Sequence, residues 1–143
     1  AMPLTSDEDI ADLLRSSARI AMVGASGRPD RPSFGVLAYL LAHGYDVMPI
    51  NPGLSGQRIQ AQPVIDSLSN ITDPVDLVDI FRSSEAAGDA VDAAIAHGAK
   101  AVWMQIGVIN HAAAERAEAA GLKVVMDRCP KVEMARLGIT GPA

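Results

Sequence analysis

A single cysteine, Cys129, in 143 residues excludes a disulfide framework, because such a fold needs paired thiols. One thiol beside three scattered histidines supplies no zinc-ligand spacing either. Aromatic residues make up only 3%, so a core must be filled by Ala, Val, Ile, Leu and Met, which suits closely approaching helices and sheet. Positive charge is scarce. The 12 Lys and Arg against 17 Asp and Glu leave a net charge of −5, without the cationic excess that neutralising a nucleic acid demands. No apolar run approaches the roughly 18 to 20 residues that span a bilayer, and the N-terminal stretch is acidic where a signal peptide would be basic. A cytoplasmic chain with neither nucleic-acid nor membrane partners is expected. Ala1 ahead of Met2 reads as a cloning remnant.

There is also no internal repeat, low-complexity linker or charge block, so one continuous domain is expected over residues 6–138. A chain this long buries roughly two-thirds of its unfolded surface and needs no staple. Short apolar runs of strand length alternate with longer Ala-rich stretches of helical period, the pattern of a parallel sheet with crossover helices. Strands are expected at 19–23, 45–50, 75–81, 101–106 and 122–126, with a weaker one near 60–64. Helices are expected at 6–16, 34–43, 85–97 and 112–120. The last three end at Gly44, Gly98 and Gly121, each suited to the left-handed residue that closes a helix. The fold class that follows is α/β: a three-layer, doubly wound, Rossmann-like parallel sheet of order 3-2-1-4-5-6. Its crevice would open beyond the first and fourth strands, at 24–26 and 81–83, and ligands of such sheets bind at that switch point.

The segment after the first strand, 24–35, is a polar, Gly-containing loop leading into a helix. Gly24 permits a tight turn, Ser26 and Ser33 offer hydroxyls, Arg28 and Arg31 add donors, and the free N–H groups of a helix start favour an anion. The loop is neither the G-x-G-x-x-G fingerprint nor a Walker A loop, and a plain solvated connection would have the same composition. At the end of the second strand, where NAD-binding domains usually place an acid for the ribose hydroxyls, stands Asn51, followed by Pro52. That weakens the case for NAD. NADP stays open, because Arg28 or Arg58 could meet a 2′-phosphate.

The stretches GAS at 24–26, YLLAHGYDVMPINP at 39–52, VDLVDIFR at 75–82, GAKAVWMQIGVIN at 98–110 and GLKVVMDRC at 121–129 together resemble the stand-alone CoA-binding domain family. That family is similar to the CoA-binding domain of the succinyl-CoA synthetase alpha subunit and of ADP-forming acyl-CoA synthetases. The resemblance, over roughly residues 7–138, implies a Rossmann-like domain that holds coenzyme A or an acyl-CoA. It places Gly24, Ala25, Ser26, Arg28 and Ser33 against the diphosphate and adenosine, Asn51 and Pro52 beside the nucleotide, and Phe81 and Arg82 in the crevice wall. Gln105 and Gly107 would border the pantetheine arm, as would Asn110, which equally fits a helix N-cap.

Other residues have plainer readings. Arg82 also fits a surface charge at a strand end, and Trp103 fits core packing. The histidine through which the related synthetases transfer phosphate belongs to a second domain with no match here, so His111 reads as a helix-start residue. His43 and His97 stand at helix ends, where an imidazolium suits the dipole. Cys129 reads as a small buried hydrophobe, or as a thiol forming a mixed disulfide with CoA. The functional expectation is a non-catalytic CoA-binding module, alone, as a homodimer or beside an acyl-CoA enzyme. The alternatives are a small NADP-dependent oxidoreductase, for which the 17 residues after Met126 offer no substrate domain, and one chain of a split acyl-CoA synthetase.

Overall fold

The computed structural model describes residues 2–143. The first helix, α1 (Asp7–Ser16), starts where Ser6 Oγ accepts a hydrogen bond from Asp9 N at 3.2 Å, and Asp7, Glu8 and Asp9 in its first turn complement the positive helix end. Strand β1 (Arg19–Val23) leads into α2 (Pro32–Ala42), whose Pro32 at the first helical position lacks only an N–H that has no partner there. Then come β2 (Asp46–Ile50) and a two-residue hairpin, β3 (Arg58–Ile59) and β4 (Gln62–Pro63). The second half alternates β5 (Leu77–Ile80), α3 (Ala87–His97), β6 (Ala101–Met104), α4 (His111–Ala119), β7 (Lys123–Val125) and α5 (Pro130–Leu137). Gly98 closes α3 in the left-handed region at φ 82°, and Asn110 caps α4 by accepting from Ala113 N at 3.0 Å, with His111 as the first helical residue.

The main sheet is parallel and five-stranded, in the order β2-β1-β5-β6-β7. This corrects the expected six-strand order 3-2-1-4-5-6. The segment that would have supplied the outer strand folds back on itself, because Gln60 and Ala61 both take positive φ, 49° and 64°, and turn β3 against β4 as an antiparallel pair. Pro63 also lacks the N–H that a continuing ladder would use. What survives beside β2 is one parallel bridge, Ile50 to Ile65.

Helices cover both faces. On one, Ile10, Leu14, Leu37, Leu40 and Met134 of α1, α2 and α5 bury Ile20, Met22, Leu77, Trp103 and Val125. On the other, Val91 and the alanines Ala90, Ala94, Ala113, Ala114 and Ala117 let α3 and α4 lie close over Ala21, Val78, Ile80, Val102, Met104 and Val124. Trp103 is fully buried, and its indole N–H donates to Arg128 O at 2.8 Å, tying the segment before α5 to the sheet. The chain leaves β1 for β2 on one side and returns to pair β5 on the other. The carboxyl ends of β1 and β5 therefore border an open crevice.

Candidate functional site

At that crevice Phe81 N extends the β1–β5 pairing by donating to Val23 O at 2.9 Å, which draws the chain after β5 against the turn after β1. Gly24 sits at the contact with φ 83°, its N–H donating to Ile50 O at 3.0 Å. A Cβ here would collide with the Phe81 carbonyl oxygen and come within 2.9 Å of Arg82 Cδ. Only glycine meets both the backbone angle and the approach. Beyond it the loop is folded by its own serines. Ser33 Oγ, from the first turn of α2, accepts from Ser26 N at 3.0 Å, and Ser26 Oγ accepts from Arg28 N at 3.1 Å. Arg31 is the N-cap of α2, and no side chain among the described residues caps that end.

The second strand buttresses the same loop. Asn51 Nδ2 donates to Ala25 O at 2.8 Å, while its Oδ1 accepts from Gly53 N at 2.9 Å. One donor and one acceptor site of the Asn51 amide are thus used to position the loop, leaving a second N–H and a second lone pair. Loops on the far side are tied together as well: Gly107 N donates to Asp127 Oδ1 at 2.7 Å, and Ser84 Oγ donates to Gly107 O at 3.2 Å.

Between these loops lies a cavity of about 750 Å³, within the range of small-molecule sites. Gly24, Ser26, Ser33, Arg28, Arg31 and Arg82 line it together with the apolar side chains of Phe81, Val36, Val108, Ile106 and Val132. Pro32, Ser83, Gln105 and the largely buried Cys129 complete the lining. A hollow of about 370 Å³ shares Gly24, Phe81 and Arg82 with it and is bordered by Asn51 and Pro52.

Of the residues singled out from sequence, the structure gathers Gly24, Ser26, Arg28, Ser33, Phe81, Arg82 and Gln105 around one cavity and Asn51 and Pro52 around its neighbour. Ala25 is buried in the core and Gly107 lies outside both linings, so each touches the site only through backbone bonds. The Arg28 guanidinium lies exposed and paired with Asp30 at 3.1 Å, an ion pair that a ligand anion can displace at small cost.

Sequence reading missed α5, and with it Val132 in the cavity wall. The start signal of α5 was there in Pro130 after Cys129, but eight residues carry little periodicity. It also missed Asp79, an acid inside an otherwise apolar strand. Asp79 is fully buried in register with Met22 and Trp103, and burial pushes its carboxyl well above the usual carboxylate range, against a backbone hydrogen bond from Ile80. The Gln105 amide faces the Asp79 carboxyl, 2.7 Å from Oδ1 and 3.2 Å from Oδ2; its nitrogen would donate to an ionised carboxyl, and its oxygen would accept from a protonated one. No group of three or more His, Cys, Asp and Glu side chains able to hold a metal occurs among the described residues, and no helix there is long and apolar enough to cross a membrane.

Comparison with known proteins agrees with this fold. The chain is 35% identical over 130 residues to the uncharacterized protein YneT of Bacillus subtilis (strain 168), covering 91% of this chain and 95% of that one. A hypothetical protein from Pyrococcus horikoshii OT3 superposes with a TM-score of 0.89 at 38% identity, over 96% of each chain. The dinucleotide forming acetyl-coenzyme A synthetase 1 of Ca. Korarchaeum cryptofilum shares the fold, with a TM-score of 0.70 at 23% identity over 81% of this chain and 27% of that one. Residues 18–135, from the first strand through most of α5 and so including every wall of the cavity, match the model of the CoA binding domain, and the chain belongs to that family.

Proposed function

We propose that the chain binds coenzyme A or an acyl-CoA in the cavity at the β1–β5 switch point, as a binding module rather than a catalyst. The observation that carries this reading is a cavity lined both by hydroxyls and arginines around the uncapped start of α2 and by apolar side chains. The diphosphate belongs at the start of α2. There Ser26, Ser33 and the α2 terminus offer donors, and each arginine bond to phosphate contributes about 1.5 to 3 kcal/mol. The pantetheine arm runs along Phe81, Val36 and Val108. Its thiol or acyl end reaches the mouth, where Ile106 and Val132 expose apolar surface. Among the described residues the titratable side chains lining the cavity are three arginines and one thiol, a set that holds anions rather than shuttling protons. An acyl-CoA enzyme or a second copy of the chain would meet the ligand at that mouth.

Calorimetric titration with CoA, dephospho-CoA and NADPH tests the reading. CoA should bind with better than millimolar affinity and outcompete NADPH. No heat from CoA, or tighter binding of NADPH, would overturn it.

A further inference from the structure

Among the described residues the large apolar side chains most open to water are Met2, Ile106, Ile109 and Val132. Single exposed hydrophobics are ordinary on a protein surface. Ile106 and Val132 are not scattered, however: 63% and 51% exposed, they come from different segments of the chain and line the same cavity. Other apolar residues of that lining are closed off, Val36 at 5% and Val108 at 8%. The apolar lining therefore runs from the interior out into solvent.

The fold holds these side chains in place. Gly107, at φ 83°, donates from its N–H to Asp127 Oδ1 at 2.7 Å and accepts from Ser84 Oγ at 3.2 Å. Ser84 Oγ in turn accepts from Ile109 N at 2.9 Å, and Val108 N donates to Gln105 O at 2.8 Å. A turn tied at these points keeps Ile106 outside. Val132 stands on α5, which buries Pro130, Glu133 and Met134 instead. Whatever covers the two side chains comes from beyond the fold, and size decides what it is. A patch of so few side chains offers at most a few hundred Å², short of the roughly 800 Å² that each partner gives to a stable protein interface. A short aliphatic chain is of the right size. In the CoA reading above, on which this rests, the arginines of the lining go to phosphate. Lys131, beside Val132, lies over the Tyr39 ring at 5.5 Å and outside the lining. No Lys or Arg of the lining is then left for a terminal carboxylate.

We propose that the site selects acyl-CoA thioesters whose acyl group is aliphatic and uncharged, with that chain packed on Ile106 and Val132 where the cavity opens. Butyryl and hexanoyl thioesters are then preferred over acetyl and succinyl ones.

Calorimetric titration of the whole chain with CoA and with acetyl-, butyryl-, hexanoyl- and succinyl-CoA tests this. Each added methylene, half covered, should tighten binding about twofold, so that hexanoyl-CoA binds about tenfold or more tightly than acetyl-CoA. The heat-capacity change should grow more negative along the same series. In I106S/V132S the ratio of hexanoyl to acetyl affinity should fall toward one. Equal affinities across the wild-type series, succinyl-CoA binding more tightly than butyryl-CoA, or a ratio unchanged in the variant would overturn the proposal. So would a wild-type dimer, seen by sedimentation, that I106S/V132S turns into a monomer, since a second copy would then cover the patch. Wild type that binds neither CoA nor any thioester would instead overturn the reading on which the proposal rests. The wild-type series stands whether or not the variant folds.

Discussion

Alanine at Gly24 is the sharpest perturbation of the site, because its two costs can be separated within the same chain. Gly24 and Gly56 both have φ 83°, but a Cβ at Gly56 meets nothing within 4 Å, while one at Gly24 runs into the Phe81 carbonyl oxygen and Arg82 Cδ. G56A therefore measures the left-handed backbone alone, about 1–2 kcal/mol. G24A adds an overlap with backbone that cannot rotate away, and forced shifts of this kind cost about 1–3 kcal/mol more. For a domain of this size each kcal/mol lowers the melting temperature by roughly 3–4 °C, so G56A should fall by about 3–8 °C and G24A by about 6–20 °C. Thermal unfolding followed by circular dichroism, with both variants beside wild type, reads the difference. CoA titration of folded G24A should also show weakened binding, since the loop must move away from Phe81. Equal melting temperatures for the two variants would refute the close approach of the β1 and β5 ends, on which the shape of the cavity depends.

Three further outcomes are expected. The double variant S26A/R28A should weaken CoA binding at least tenfold while leaving the melting temperature within a few degrees, because Arg28 is exposed and paired only with Asp30; unchanged affinity would move the diphosphate elsewhere. N51A should destabilise by about 1–3 kcal/mol in urea unfolding, since it removes the bond to the carbonyl of the buried Ala25 as well as the Gly53 turn; a variant as stable as wild type would deny Asn51 its buttressing role. D79N should be more stable than wild type at pH 8, with an advantage that shrinks on acidification. The buried acid has a carboxyl raised above its unfolded value of 3.8, so its contribution is most favourable below that value and declines as pH rises through the folded one. Melting temperatures that diverge in the opposite sense would show that Asp79 is held as a stabilised carboxylate.

The elements whose signals are local were legible in the residues. The Ser6 and Asn110 caps, the glycine at the end of α3 and the apolar strands at 19–23 and 101–104 each depend on neighbours within a few positions, and composition alone placed alanines where two helices must approach a sheet. The position of the crevice also followed, since right-handed crossovers leave few places where a chain can reverse its winding. Tertiary structure decided the rest. Whether residues 58–63 join the sheet or turn back rests on two backbone angles and on competition for the edge of β2, which no periodicity records. Asn51 is 26 positions from the Ala25 carbonyl that accepts from its amide, and Gln105 is as far along the chain from the Asp79 carboxyl that it faces. Sequence assigns donors and acceptors to a chain, but which of them remain free for a ligand is settled only when folding removes water and pairs the others.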